Sequence, residues 1–191
     1  ELQMDKKYSK YSDLELFKLL SGSQSDAELA FGELYSRYSQ KIYAYCLRVT
    51  GNKEDANDIF QETFCNFFNT AKSNPETSSV SGLMITIARN LCINYTRSKK
   101  VHIDLEEYNL QTNDTGYEQK ELLDLISNAL ELLEFEYKDA FILRQYHGFS
   151  YKEISEITNA PESTIRNRFW RAKEKIKEIL APYLHEISNN K

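Results

Sequence analysis

Apolar residues recur along this chain at intervals of three and four, and period-two alternation never persists, so helices are the expected elements throughout. Ser12 and Glu15 have the spacing of a capping box and open a helix through Leu14, Phe17 and Leu20, which Ser21-Gly22-Ser23 ends. A longer helix is expected from about Asp26 through Arg48, with Leu34, Tyr38, Ile42 and Tyr45 along one side. Gly51-Asn52 makes a turn before a helix over Lys53–Phe68. A polar loop from Asn74-Pro75 to Ser81-Gly82 follows. Leu83–Lys99 is then helical, with Leu83, Ile87, Leu91 and Tyr95 facing inward and Thr86, Arg89, Asn90, Ile93 and Arg97 outward.

The pattern lapses over residues 101–119, which read as a linker, and resumes with Leu122, Ile126, Ala129, Leu130 and Leu133 in a helical group that ends near Tyr183. Within that group lies the most specific signal. Ser150 and Glu153 form a second capping box, and Phe149 stands where it can staple onto Ile154. Asn159-Ala160-Pro161 breaks the short helix, and Pro161 suits the first turn of the next, where its missing N–H costs nothing. In that next helix Ile165, Phe169, Ala172, Ile176 and Ile179 make one apolar stripe. Ser163, Arg166, Asn167, Trp170 and Arg171 fall on the other side. A solvated face usually carries Lys and Glu; here a tryptophan sits among Arg and Asn, the side chains that pair bidentately with guanine and adenine. Two helices joined by a tight turn, the second basic and outward-facing, make a helix-turn-helix able to enter a major groove. A helical hairpin with a merely wet basic face is the alternative.

The fold class expected is therefore all-α: two small helical domains, residues 12–100 and 121–183, joined by a flexible acidic linker over 101–120. Six Gly and three Pro in 191 residues interrupt few helical positions. The net charge of −5 argues against a nonspecific nucleic-acid coat, whose affinity comes from neutralising phosphates. The charge is uneven, however: residues 162–180 hold six Lys/Arg against three Glu, whereas 101–118 hold five Asp/Glu and no Lys or Arg. A local basic patch on an acidic chain points to focused DNA contact that needs other partners.

Cys46, Cys65 and Cys92 are odd in number and widely spaced, and read as reduced thiols; His102, His147 and His185 share no ligand spacing. No metal, cofactor or catalytic motif is expected, and no apolar run reaches the length of a membrane span. No signal-peptide pattern opens the chain, and Glu1-Leu2-Gln3 ahead of Met4 reads as an addition before the natural start. These features imply a cytoplasmic protein that is not an enzyme.

On the helix 53–68, Glu54, Asp55, Asp58, Gln61 and Glu62 gather opposite an apolar face of Ala56, Ile59, Phe60, Thr63, Phe64 and Phe67. Solvated faces mix signs for i, i+4 pairing; a face of one sign suits a basic partner, with simple solubility as the alternative.

Taken together, the residues resemble the extracytoplasmic-function (ECF) sigma factors of bacterial RNA polymerase. The resemblance covers nearly the whole chain. Ala30 through Tyr38 is similar to the family's opening helix, and Asp55-Ala56-Asn57-Asp58-Ile59-Phe60-Gln61-Glu62-Thr63-Phe64 to its acidic run ending in Gln-Glu-x-Phe. Ile87-Ala88-Arg89-Asn90-Leu91, continuing to Arg97, resembles the promoter-reading helix of the first domain. Leu133 through Arg144, Gly148 through Ile154 and Thr164 through Ala172 resemble the C-terminal promoter-binding domain.

This resemblance implies a transcription initiation factor that binds core RNA polymerase and directs it to specific promoters. Glu54, Asp55, Asp58, Gln61 and Glu62 would dock on the coiled coil of the largest subunit, with the flap as a further contact. Asn90, Arg97, Lys99, Lys100 and the loop from about Lys72 to Ser81 would hold the minus-ten element, capturing a flipped base of the non-template strand. Ser163, Thr164, Arg166, Asn167, Arg168, Trp170 and Arg171 would read the minus-thirty-five element. An anti-sigma factor is an implied partner. Leu83, Asn94, Glu134, Ser155 and Thr158 depart from the family pattern, and Thr158 is expected to weaken packing between the two helices of the turn motif. The rival reading is a free-standing helix-turn-helix regulator; such proteins dimerise on palindromic sites, and the acidic face would then go unexplained.

Overall fold

The computed structural model describes residues 8–100 and 125–189, the side chains of 99–100 and 183–189 excepted. The chain divides into two compact units, Glu1–Arg97 and Ser98–Lys191. Every regular element among the described residues is helical. The acidic stretch 101–120, together with Glu121 and Leu122, lies outside the described residues.

In the first unit a short 3-10 turn, Tyr8–Lys10, precedes α1 (Asp13–Leu19), α2 (Gln24–Thr50), α3 (Lys53–Ser73) and α4 (Val80–Lys100). The caps account for the boundaries. Ser12 and Glu15 close the expected capping box on α1, and Ser23 Oγ accepts from the Asp26 N–H at 3.2 Å to start α2. Asn52 Oδ1 accepts from the N–H groups of Glu54 and Asp55 at 2.8 and 3.1 Å to start α3. Gly51 carries φ 68°, the left-handed cap that glycine adopts without a Cβ penalty. Ser79 caps α4, its Oγ accepting from the Gly82 N–H at 3.0 Å, so that helix begins three residues before the expected Leu83. Helix α3 runs on to Ser73 rather than stopping at Phe68, which places Lys72 in its last turn.

The core of this unit gathers Leu16, Phe17 and Leu20 from α1, Leu34, Ile42 and Tyr45 from α2, and Phe67 from α3, with Met84 and Ile85 from α4. Phe17 and Phe67 meet with ring centroids 5.5 Å apart. Burying each such side chain contributes about 1.5–3 kcal/mol. Leu14, in the first turn of α1, is exposed. The buried stripe of α4 differs from expectation: it is Val80, Met84, Ile85, Ala88 and Cys92. Leu83, Ile87, Leu91 and Tyr95 flank that stripe, half-buried. The helix is apolar over a wide arc, and small Ala88 and Cys92 let it approach its neighbours closely, so packing rather than side-chain size chose the innermost line.

In the second unit a helix over residues 125–131, α5, leads to α6 (Phe135–Gln145), α7 (Tyr151–Thr158) and α8 (Glu162–Asn189). Ala129, Leu130 and Leu133 form a core with Ala172, Ile176 and Leu180 of α8. Phe141 stacks on Phe169 at 5.9 Å. Lys138 is buried and reaches Glu131 Oε1 at 3.0 Å, a pair that ties α6 to α5. Helix α8 continues through Pro182 to Asn189, past the end expected near Tyr183. Pro182 and Glu178 are both exposed, so water can take the carbonyl bond that proline leaves unmade.

Cys46, Cys65 and Cys92 are free thiols, the first and last buried and Cys65 exposed. Among the described residues no helix is long and apolar enough to cross a membrane.

Candidate nucleic-acid interface

The turn between α6 and α7 is built by backbone demands and one arginine. Gly148 has φ 72°, and a Cβ there would meet nothing within 4 Å, so the requirement is conformational rather than spatial. Arg144 donates to the Phe149 carbonyl at 2.9 Å, pinning the exit from α6. Ser150 and Glu153 then close the second capping box. Phe149 and Ile154 are both buried. At the far end Asn159 takes the left-handed conformation at φ 52°, which Asn tolerates better than most residues. Pro161 sits just before α8 rather than within its first turn, its carbonyl accepting from Ile165 at 3.1 Å. Its fixed φ and absent donor suit that place equally well.

The family departures in this motif have structural uses. Ser155 Oγ donates to the Ala160 carbonyl at 2.6 Å, which ties α7 to the turn. Thr158 Oγ1 donates back to the Ile154 carbonyl at 2.7 Å, so its hydroxyl is satisfied within α7.

On α8, Ile165 and Ala172 are fully buried, and Phe169 is half-buried. Ser163, Arg166, Asn167, Trp170 and Arg171 all face solvent, as the helical period requires; Thr164 and Arg168 lie at the margins, half-buried. Trp170 is 66 % exposed, a large apolar surface left to water.

On α3, Glu54, Asp58, Gln61 and Glu62 are exposed. Asp55 is set apart from them: it is half-buried and accepts a hydrogen bond from the Tyr95 hydroxyl of α4. On α4, Asn90 and Arg97 are exposed, whereas Thr86, Arg89 and Ile93 are half-buried. The side chains of Lys99 and Lys100 lie outside the described residues.

Residues 34–101 match the family model for sigma-70 region 2, and residues 123–176 match that for sigma-70 region 4. The chain is 30% identical to the ECF RNA polymerase sigma factor SigW of Bacillus subtilis, over 79% of this chain and 89% of that protein. This chain belongs to the ECF sigma factors. It is also 27% identical to the ECF RNA polymerase sigma-E factor of Haemophilus influenzae, over 87% of this chain and 95% of that one. The fold is that of the sigma factor RpoE of Bartonella quintana, solved in complex with the anti-sigma factor NepR, with a TM-score of 0.68 at 22% identity over 79% of this chain and 96% of that chain. The sigma factor thus binds core RNA polymerase and directs it to specific promoters, and the reading as a free-standing regulator is not favoured. Sigma factors are initiation factors rather than enzymes.

One member of this sigma factor's basic site was not legible in its sequence. Tyr151, at the start of α7, lies between two guanidinium groups, with Arg144 4.9 Å and Arg166 4.7 Å from its ring centroid. Phe169 packs on the same ring at 6.0 Å. Arg166 also reaches Glu162 at 3.5 Å. Each cation–π contact is worth roughly 0.5–1 kcal/mol at exposed sites, enough to orient a long side chain before it meets a ligand. Arg144, Tyr151 and Arg166 stand far apart along the chain with no shared period, so no sequence signal joins them.

The capping box makes one contribution to this motif dependent on pH. Hydrogen bonds from the Ser150 hydroxyl and backbone hold the Glu153 carboxyl below its usual range. A group whose folded pKa is lowered stabilises above its unfolded value, about 4.3 for Glu, and the stabilisation is lost as pH falls through the lowered value. Melting of the wild type and of Glu153→Gln should therefore converge as pH falls through that lowered value. At neutral pH, Ser150→Ala should cost about 1 kcal/mol.

Proposed function

We propose that two chemically opposite faces divide the work of this sigma factor between core enzyme and promoter. The first domain, residues 12–100, presents Glu54, Asp58, Gln61 and Glu62 to the coiled coil of the largest subunit, with Asp55 held from behind by Tyr95. Asn90, Arg97, Lys99, Lys100 and the segment of residues 72–81, the loop between α3 and α4 with the helix ends that flank it, hold the minus-ten element. The second domain, residues 121–183, reads the minus-thirty-five element in the major groove through Ser163, Thr164, Arg166, Asn167, Arg168, Trp170 and Arg171, and meets the flap. The acidic residues 101–120 join the two. The sigma factor carries no catalysis of its own and works in the cytoplasm, where the polymerase is. The Bartonella quintana relative was solved with an anti-sigma factor; an inhibitor of that kind, covering the polymerase-binding faces, is the partner inferred for this chain.

The observation that carries this reading is the exposed face of Arg166, Asn167, Trp170 and Arg171 on the second helix of a capped helix-turn-helix. Bidentate Arg and Asn discriminate between bases at about 1–3 kcal/mol per pair. The test is run-off transcription with purified bacterial core polymerase on a library of random promoters. A defined minus-thirty-five consensus should emerge, and no transcript above core alone would refute the assignment. Arg166→Ala should lose about 1–3 kcal/mol of promoter affinity and relax preference at one position. Equal loss on all sequences would reduce Arg166 to a phosphate contact.

A further inference from the structure

The long basic side chains of α8 rest on aromatic rings, and they do so in two different ways. Arg171 donates from Nη1 to the Tyr137 hydroxyl at 3.4 Å, so it spends an N–H on its support. Arg166 is held differently: its guanidinium lies over the Tyr151 ring, 4.7 Å from the centroid. A ring attracts a cation through its π face, which leaves the N–H donors of the guanidinium to other partners. Those donors are what a guanine edge accepts from.

The Tyr151 ring is itself a fixed platform. Tyr151 is the first residue of α7, directly after the N-cap Ser150 and its capping box. Phe169 of α8 packs edge-on against it, with centroids 6.0 Å apart. Arg144, which donates to the Phe149 carbonyl, lies over it at 4.9 Å. Tyr151 is half-buried, whereas Arg166 is exposed. A tyrosine gives up little rotamer freedom on being fixed, and an arginine gives up much more. A ring held from three sides therefore removes in advance part of the freedom that Arg166 would otherwise lose on meeting a base.

The other contact of Arg166 is a weaker guide. Its Nη2 lies 3.5 Å from Glu162 Oε2, with the two side chains 62% and 44% exposed. An exposed i, i+4 pair holds little and is screened by salt. The carboxylate also competes for the guanidinium's donors and repels phosphates as α8 nears DNA. The neutral ring does neither.

We propose that Tyr151 is a positioning residue for promoter recognition: its ring holds the Arg166 guanidinium by the face, so that base discrimination by Arg166 depends on a side chain of the preceding helix. This rests on the reading above that Arg166 meets a base edge in the minus-thirty-five element.

The test uses holoenzyme assembled from the full chain and bacterial core polymerase, on a promoter selected from a randomised library. Competition binding compares that promoter with versions substituted singly at each minus-thirty-five position. Arg166→Ala marks the position that Arg166 reads. There Tyr151→Leu should lower discrimination about twofold to fivefold, the worth of one exposed cation–π contact, and leave the other positions unchanged. Tyr151→Phe should retain discrimination, because the ring and not the hydroxyl holds the cation. Added to Arg166→Ala, Tyr151→Leu should change affinity for the selected promoter by less than about twofold, since the two act as one unit. Equal loss at every position, a fall of less than about twofold, failure of Tyr151→Phe to rescue, or a further loss in the double variant overturns the proposal. Should Tyr151→Leu fold poorly by circular dichroism, Glu162→Gln decides. With that carboxylate gone the ring alone holds Arg166, so discrimination should stay within about twofold of wild type, and a larger loss overturns the proposal. Arg166→Ala that weakens all sequences equally removes the premise and the proposal with it. A base-specific loss there beside unchanged discrimination in Tyr151→Leu removes the proposal alone.

Discussion

Reversing the charge at Asp58 to Lys should weaken binding to core RNA polymerase by about a hundredfold or more, with the fold intact. Truncating one partner of a charge pair desolvated at an interface costs about 2–5 kcal/mol, and a reversed charge adds like-charge repulsion. Asp58 is the residue to choose because it is exposed on α3 between Glu54 and Glu62, on the side away from the buried Ala56, Ile59 and Thr63. Its substitution disturbs no cap, since Asn52 supplies that bond. Asp55→Lys is a less clean probe, because Asp55 accepts from Tyr95 and its loss would loosen α4 as well. Binding measured by fluorescence anisotropy at rising salt checks the prediction. The wild-type affinity should fall as salt screens the acidic face, and the variant's should fall less. Equal affinities for wild type and Asp58→Lys would remove this face from the interaction.

The second large effect is on stability. Arg37→Ala should destabilise the first unit by about 3 kcal/mol, the range for removing one partner of a mostly desolvated ionic network. The side chain is 25% exposed, which keeps the figure below that of a fully buried pair. Four groups depend on it: Asp13, Glu33 and the carbonyls of Ser9 and Tyr11. Removing it leaves Asp13 without its cation and releases the segment before α1. A loss of 3 kcal/mol lowers the melting temperature of a domain this size by roughly 10–20 °C. Arg37→Lys should recover only part of that loss, because an ammonium cannot present the planar fork that reaches several acceptors at once. Thermal unfolding followed at 222 nm would show both. A shift under about 3 °C for Arg37→Ala would mean that water replaces the clamp at little cost.

These expectations fall on different levels of the molecule. Asp58 could be chosen from the sequence, because a helix of known period assigns every residue a side and one side carries a single sign of charge. Arg37 could not. Its partners Ser9, Tyr11 and Asp13 lie on a segment whose return onto α2 is set by the burial of Tyr8, Leu16 and Phe17. Region 4 shows the same division. The period of α8 separated Ile165 and Ala172 from Arg166 and Trp170, yet the Arg144–Tyr151–Arg166 stack joins three elements.

What the sequence determined by itself was local: capping serines with Glu three residues on, the turn at Gly51-Asn52 and the break at Asn159-Ala160-Pro161, and the face on which each charged residue of α3 and α8 falls. These depend on bonds within one turn and on a fixed period, and both are written in neighbouring residues. Tertiary structure alone decided which line of α4 is innermost, that Leu14 stays in solvent, and that Tyr38 of α2 donates to Asp13 of α1. On a helix apolar over a broad arc, several lines satisfy the hydrophobic pattern equally. Close packing then selects among them by shape, and shape belongs to the neighbours as much as to the helix.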